Sequence, residues 1–237
     1  MTYYKKSVFF LFSMGTVLTG LIPILAYGSS FVVEEGQVVG QQTLSSLSDK
    51  GLVEEGGAIS TTANDGAGVG VLMANGLQEL TNEGTIKTTG SFVGGLAPNA
   101  VTVFGPSSLV TNNGLIRATG NGASGIVTAT SSTGSTIVNN GLIITEGNKV
   151  SNATADGIRL RGASGLVVNN GEIRTLGQSS SGISVAASLS NVINDGLIQS
   201  TGLGSYGIKV DSFSPNSTIT NNGTIIANSD PTSFAIS

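Results

Sequence analysis

Apolar and polar residues alternate over short stretches of this chain, which is the period of a half-buried β-strand. Ile158 and Leu160 alternate with Arg159 and Arg161. In the same way, Ile183 and Val185 lie on either side of Ser184, and Ile208 and Val210 lie on either side of Lys209. No stretch beyond residue 28 shows the period of an amphipathic helix over a useful length. The pattern therefore predicts an all-β fold built from many short strands.

A five-residue unit of the form Asn-Asn-Gly-x-Ile recurs along the chain, and a degenerate earlier copy occupies residues 55–59. Successive copies lie 25 to 30 residues apart, which indicates a fixed core with loops of varying length. The first asparagines of the six clear copies are Asn82, Asn112, Asn139, Asn169, Asn194 and Asn221.

Each repeat contains three strand-like pieces: one after the Asn-Asn-Gly turn, one that begins at a Gly-aliphatic step, and one that leads back into the turn. Strands this short bury their apolar faces if the chain winds as a coil and each strand pairs in parallel with its equivalent one coil further on, about 4.8 Å away. We therefore predict an all-β, single-stranded parallel β-helix with about 27 residues per coil and about seven coils.

The first asparagine of each turn lies two residues after an inward-facing aliphatic residue, so its side chain is predicted to point inward. A buried amide needs hydrogen-bond partners. Stacked asparagines supply them to one another, and we therefore predict a structural asparagine ladder. The alternative is that these amides are ligands for a metal or a sugar.

Composition excludes several kinds of chemistry. The chain has no His and no Cys, which rules out a Ser-His-Asp triad, a thiol nucleophile and a zinc finger. Only 10% of its residues are charged and its formal net charge is -4, so no bulk basic surface is offered to nucleic acid. No cofactor and no metal site is predicted.

The amino terminus has the order of a secretory signal: Lys5 and Lys6, then an uncharged apolar run over residues 8–25, then small residues up to Gly28. We predict export by the Sec route with cleavage after Gly28; the alternative is an uncleaved transmembrane anchor. Residues 29–53 are expected to form an irregular N-terminal cap, and residues 54–237 the β-helix.

The export signal, the absence of Cys and the Asn-Asn-Gly-x-Ile and Gly-Ile repeats resemble the passenger domains of bacterial autotransporters, from about Glu55 to the end. The resemblance implies a right-handed β-helix at the cell surface or outer membrane of a Gram-negative bacterium, or outside the cell. It also implies an adhesion target that is a host-cell or matrix glycan or protein, and an outer-membrane translocator as a second partner. The chain departs from the family because it lacks the C-terminal β-barrel.

The last residues place Ile236 in the Gly-Ile column, so the chain stops within a coil. An open coil end exposes unpaired strand edges, from which we expect end-to-end association, or else a truncated relative of a longer protein.

Few charged groups could carry chemistry. Asp156 with Arg159 and Arg161 is the densest charged spot, and Lys87, Arg117 and Arg174 form a broken basic stripe. Both sets are candidates for binding a surface ligand, the stripe for an anionic glycan or lipopolysaccharide. Alternatively, they are solvated outward residues that keep sheet edges soluble.

We therefore expect a non-enzymatic exported surface protein, an adhesin or display stalk. Its rivals are a carbohydrate-active β-helix enzyme, such as a polysaccharide lyase or glycosidase, and a fragment without independent function. Catalysis of that kind needs grouped carboxylates, whereas Glu83 and Asp195 share one column but lie four coils apart. The chain beyond residue 28 also has few of the aromatic residues on which sugars stack.

Overall fold

The computed structural model describes residues 30–227 and 234–237; the predicted signal, residues 1–28, lies outside this part of the chain. The described residues contain short strands and a 3-10 helix at Asp65–Gly68. The first twelve strands are β1 (Phe31–Val33), β2 (Val38–Val39), β3 (Gln42–Leu44), β4 (Lys50–Val53), β5 (Ala58–Thr61), β6 (Val71–Met73), β7 (Glu79–Asn82), β8 (Thr85–Thr88), β9 (Val101–Val103), β10 (Leu109–Asn112), β11 (Leu115–Ala118) and β12 (Ile126–Thr128). The remaining twelve are β13 (Thr136–Asn139), β14 (Leu142–Thr145), β15 (Ile158–Leu160), β16 (Leu166–Asn169), β17 (Glu172–Thr175), β18 (Ser181–Val185), β19 (Asn191–Asn194), β20 (Leu197–Ser200), β21 (Tyr206–Val210), β22 (Thr218–Asn221), β23 (Thr224–Ala227) and β24 (Phe234–Ile236).

The strands form three parallel sheets of eight strands each, and every third strand along the chain belongs to the same sheet. The first sheet runs from β1 to β22, the second from β2 to β23 and the third from β3 to β24. Seven complete turns therefore separate β1 from β22. The predicted parallel β-helix is confirmed.

The core lies between the three sheets and is built from columns of aliphatic side chains. Ile116 stacks between Ile86 and Ile143, and Ile158 between Ile126 and Ile183, each in register with its neighbours. The strands of the first and second sheets alternate between partly exposed and buried residues in the central coils. Because each aliphatic side chain rests on its equivalent, the core is continuous along the axis and each buried side chain contributes on the order of 1.5–3 kcal/mol.

The first coil differs from what the sequence led us to expect. Residues 29–53 were expected to form an irregular cap, but β1, β2 and β3 pair in parallel with β4, β5 and β6. The segment is therefore the first coil of the β-helix. In this coil and the next, the turn from the first to the second sheet has four residues, at 34–37 and 54–57, in place of the two that separate Asn82 from Thr85. These turns carry Glu34-Glu35-Gly36 and Glu54-Glu55-Gly56, with each glycine at a φ of 77°, so the turn differs from Asn-Asn-Gly although the strands keep the same parallel pairing.

The turn between the third and first sheets contains a column of residues with positive φ, between 53° and 68°, in seven successive coils. For most residues the left-handed region costs roughly 1–2 kcal/mol, and the cost is offset here because the turn N–H donates to the next coil, as from Leu189 to Pro215 O at 3.0 Å. The sequence did not indicate this column because only one of its members is glycine: Ser48, Leu77, Ser107, Gly134, Ser164, Leu189 and Asn216.

Candidate binding cleft

A cleft of about 870 Å³ lies on the outer face of the third sheet. Its floor is one column of outward-facing residues from β9, β12, β15, β18 and β21, in register from coil to coil. This column comprises Thr102, Val127, Arg159, Ser184 and Lys209. Thr102 is 2% exposed and Ser184 only 4%, although both point away from the core. The floor is thus shielded by its walls.

The walls exist because the loops between the second and third sheets differ in length. Residues 89–100 and 146–157 connect the sheets in their coils, whereas the coil between them uses only residues 119–125. The two long loops meet over the short one, since Phe92 Cβ and Ala153 Cβ lie 2.8 and 2.9 Å from where a Cβ on Gly122 would be. A side chain at Gly122 would therefore separate the two walls.

The wall formed by the loop of residues 89–100 is held in place by Asp65. Asp65 Oδ1 accepts the backbone N–H groups of Val93 at 2.8 Å and Gly94 at 3.2 Å. The hydrogen bond from Val93 is the main reason that the pKa of Asp65 lies below its usual value. This loop is anchored to the body of the β-helix by a charge-assisted contact.

The cleft gathers an unusual share of the chain's basic and aromatic residues. Ten Lys and Arg residues are present in all, and Lys5 and Lys6 precede residue 29. Four of the other eight line the cleft, namely Lys149, Arg159, Arg161 and Lys209, with only Asp156 and Asp211 as acidic counterparts. Half of the six aromatic residues beyond residue 28 also line it: Phe92, Phe104 and Tyr206. A cationic, partly aromatic groove therefore stands on a protein of net charge -4.

Asp156 belongs to a wall of the cleft and is 1% exposed. Its Oδ1 accepts the backbone N–H of Ser181 at 2.7 Å, while its Oδ2 has no hydrogen-bond partner. Burial raises the pKa of Asp156 above its usual value, although the Thr154 side chain, the Ser181 N–H and the positive charge of Arg159 act in the opposite direction. The alternative of a solvated outward residue is wrong for Asp156.

The basic residues of the cleft differ in their surroundings. Arg159 donates from Nη1 to Thr154 Oγ1 at 3.2 Å, and its buried Nε has no partner. Arg161 is exposed to solvent over part of its surface. The removal of the rest from water, together with the positive charge of Arg159, lowers the pKa of Arg161. Lys209 Nζ lies 2.9 Å from Asp211 Oδ1 and 5.8 Å from the centroid of the Tyr206 ring.

The basic stripe predicted from sequence lies elsewhere, on the outer face of the second sheet, so the structure does not bring the two candidate sets together. Arg117 is in register with Lys87 on one side and Ile144 on the other. Arg117 pairs with Glu146 at 2.5 Å, and Arg174 pairs with Glu172. The two arginines of the stripe are therefore engaged by carboxylates, as Lys209 of the cleft is by Asp211.

The six turn asparagines lie in one column, inside the corner between the first and second sheets. The Nδ2 of each of the first five donates to the Oδ1 of the next coil at 2.7 or 2.8 Å, whereas Asn221 Nδ2 donates to Gly223 O at 3.2 Å. The first five are fully buried, and Asn221 is exposed. Asn82 Oδ1 at the start of the ladder has no partner, because Val53 occupies the equivalent position in the preceding coil.

A second, exposed ladder that the sequence did not suggest runs beside the first in the opposite direction. Asn113, Asn140 and Asn170 each donate to the preceding coil at 2.7 or 2.8 Å, and the chain of bonds ends on Glu83 Oε1. Asn222 donates likewise to Asp195 at 2.8 Å. Glu83 and Asp195 thus serve as acceptors at the ends of ladders.

Sequence reasoning found Asp156, Arg159 and Arg161 but missed Lys149, Lys209 and the aromatic residues around them. A usable signal was present, since aligning the Gly-Ile steps places Val127, Arg159, Ser184 and Lys209 in one outward column. Lys149, Phe92 and the depth of the cleft depend on loops and had no such signal.

Two kinds of feature are absent from the described part of the chain. Within it, no three or more Asp or Glu side chains are grouped so as to hold a metal ion. Nor does any helix there have the length and hydrophobicity needed to cross a membrane.

The family model of the BigA third pectate lyase-like domain matches residues 99–234 of this chain. The matched region extends from the strands that begin the cleft to the last strand of the third sheet, and it includes Asp156, Arg159, Arg161 and Lys209. No curated protein and no solved structure matches the chain. Because the matched residues make up more than half of the sequence, the chain belongs to the family of BigA third pectate lyase-like domains.

Proposed function

We propose that this protein is an exported, adhesin-type β-helix of the autotransporter-passenger kind, which binds a host-cell or matrix glycan or protein through the cleft on its third sheet. The observation that carries the proposal is the concentration of Lys149, Arg159, Arg161 and Lys209 with three aromatic residues in one groove. Concave sites that combine aromatic surface with a few converging polar groups are the usual form of ligand sites.

Several features favour binding over catalysis. A glycosidase needs two carboxylates placed on either side of the scissile bond. In this cleft Asp211 is engaged by Lys209 at 2.9 Å, and Asp156 is buried with its Oδ1 held by the backbone of Ser181. Neither carboxylate is presented to a substrate in the way that acid–base chemistry requires.

The rival function is a carbohydrate-active enzyme, and the depth of the cleft together with the raised pKa of Asp156 favours it. The two functions differ in whether a product is released. An enzyme would shorten a polysaccharide over time, whereas an adhesin would retain the polysaccharide unchanged.

The test is adhesion of the purified full chain to cultured host cells and to extracellular matrix, measured by a fluorescent label. Replacing Arg161 and Lys209 together by Gln should reduce adhesion, whereas replacing Lys87 by Gln, on the second sheet, should leave it unchanged. Size-exclusion analysis of polysaccharides incubated with the protein should show no shortening. Equal adhesion of both variants would refute the role of the cleft, and shortened chains would establish the enzyme instead.

A further inference from the structure

The cleft contains two buried polar atoms without hydrogen-bond partners, Asp156 Oδ2 in a wall and Arg159 Nε on the floor. Leaving such an atom unsatisfied costs the desolvation free energy of the group, which is larger for a charged group. Both belong to residues that line the same groove. In the described part of the chain, two other buried atoms without a partner, Asn82 Oδ1 and Thr145 Oγ1, lie away from the cleft, so only the cleft brings two of them to residues of one groove. Such a pair is consistent with a site where a ligand supplies polar groups.

The floor of the cleft spaces two cations along the axis of the β-helix. Arg159 is in register with Ser184, and Ser184 is in register with Lys209. Two coil steps separate the two basic residues, which corresponds to about 10 Å. This distance is close to the length of a disaccharide in an extended chain, so two acidic groups on alternate sugar residues would meet the two cations.

The aromatic residues of the cleft are also distributed along the axis of the β-helix. Phe92 and Phe104 belong to the coil that contains β9, while Tyr206 lies in the coil that contains β21, beyond Arg159. Aromatic rings offer apolar faces on which pyranose rings pack, and Ser184 lies on the floor between the two aromatic ends. The groove therefore presents apolar contacts toward its ends and cations from its middle onward.

A nucleic acid fits this arrangement less well. A nucleic acid strand carries a negative charge about every 3.4 Å, whereas the floor column offers cations about 10 Å apart. The rest of the molecule is acidic, with a formal net charge of -4 for the whole chain, and repels a dense polyanion that extends beyond the cleft. A more sparsely charged chain avoids this repulsion.

We propose that the cleft binds an acidic saccharide chain, bearing carboxylate or sulfate groups on alternate sugar residues, along the axis of the β-helix. Arg159 contacts one acidic group and Lys209, which also pairs with Asp211 at 2.9 Å, contacts the next. The aromatic residues pack on the sugar rings toward the two ends of the groove. The proposal rests on the proposed function for the location of the site, and it adds the chemistry of the ligand.

The test measures binding of a short hyaluronan oligosaccharide to the full chain by isothermal titration calorimetry. Exchanging Arg159 or Lys209 for Gln should weaken binding about tenfold each, the loss expected for one charge-assisted contact. The matched control is Arg174→Gln, which removes a cation from the second sheet and should retain the wild-type affinity. Circular dichroism and thermal melts establish that each variant is folded.

Three further probes sharpen the outcome: uncharged dextran, chondroitin sulfate and a single-stranded DNA oligomer of matched length. We expect binding of the two acidic saccharides and not of dextran or DNA. Binding of dextran as tight as that of hyaluronan would overturn the role of charge, and DNA binding as tight would overturn the saccharide assignment. Cell adhesion that depends on Arg161 and Lys209 without any acidic-saccharide binding would refute this ligand class while leaving the adhesin role intact.

Discussion

The turn asparagines show how one residue type satisfies a demand that the coil creates. Their position points inward, where an amide must be fully hydrogen-bonded. Asn139, for example, donates to Asn169 Oδ1 at 2.7 Å and accepts from Asn112 Nδ2 at 2.8 Å, and its Nδ2 also lies 3.2 Å from Glu172 O. A side chain that could only donate or only accept would interrupt the ladder in one direction.

Replacing Asn139 by Val should destabilise the protein by about 2–4 kcal/mol, because the buried amide of Asn112 loses its acceptor and that of Asn169 its donor. Valine is the appropriate replacement, since Val53 occupies this column two coils before Asn112. The free energy of unfolding in urea measures the effect. Asn140→Ala in the exposed ladder is the control, with an expected loss below about 1 kcal/mol; similar losses for both variants would contradict the distinction between the ladders.

Asp156 gives a prediction about pH. Its pKa is raised in the folded protein, so the folded state binds the proton more tightly than the unfolded state does. Stability associated with this group is therefore greatest below the ordinary carboxyl pKa of 3.8 and falls as the pH rises through the interval up to the folded pKa. The groups that face the carboxyl and oppose this effect are the Thr154 side chain, the Ser181 N–H, Arg159 and Lys209.

Asp156→Asn should remove that component, because the amide keeps an acceptor for the Ser181 N–H and does not ionise. Thermal unfolding followed between pH 3 and pH 7 should show that the variant loses less stability than the wild type as the pH rises. Parallel profiles for the two proteins would mean that Asp156 ionises in the folded state as it does in the unfolded state.

At the scale of the element, the Gly-Ile step of the third sheet is explained by its neighbour in the second sheet. A Cβ on Gly182 would lie 2.3 Å from Ile198 Cγ2 and 2.6 Å from Gly207 O, and the glycines of adjacent coils meet the isoleucine column in the same way. The two sequence signals, the isoleucine after the turn and the glycine before the next strand, are thus two sides of one contact. Glycine is needed there for space.

Gly182→Ala should therefore destabilise the β-helix by about 1–3 kcal/mol, since the added methyl group forces the close-packed backbone and Ile198 apart. Denaturant unfolding measures the loss. Gly40→Ala is the matched control, because no atom lies within 4 Å of a Cβ at that position, and it should change stability little. A stable Gly182→Ala variant would show that the coils can separate at no cost.

At the scale of the whole molecule, stability depends on stacking, because each coil contacts only its neighbours. In β13 the residues Ile137 and Asn139 are fully buried, whereas in β22 three of four residues are exposed and Ile219 is only partly buried. Hydrogen exchange followed by mass spectrometry should therefore show slower exchange in peptides containing β13 than in peptides containing β22. Uniform protection along the axis would instead indicate one cooperative unit.

The sequence by itself determined the coil, the three strands per repeat and the register of the columns. The reason is that alternation and the Asn-Asn-Gly turn are local signals, and repetition forces each copy onto the next. The same signals failed in the first coil, where a longer turn that contains Glu34-Glu35-Gly36 replaces the Asn-Asn-Gly motif while the strands still pair in parallel.

Only the tertiary structure decided where the chemistry lies. Phe92 and Ala153 are separated by sixty residues of sequence, and they meet over Gly122 because one short loop lies between two long ones once the coils are stacked. That arrangement shields the floor of the third sheet, buries Asp156 and joins Lys149 to Arg159 and Lys209. Loop lengths vary without disturbing the core, so the repeat pattern carries the fold and leaves the cleft to the contacts between loops of different coils.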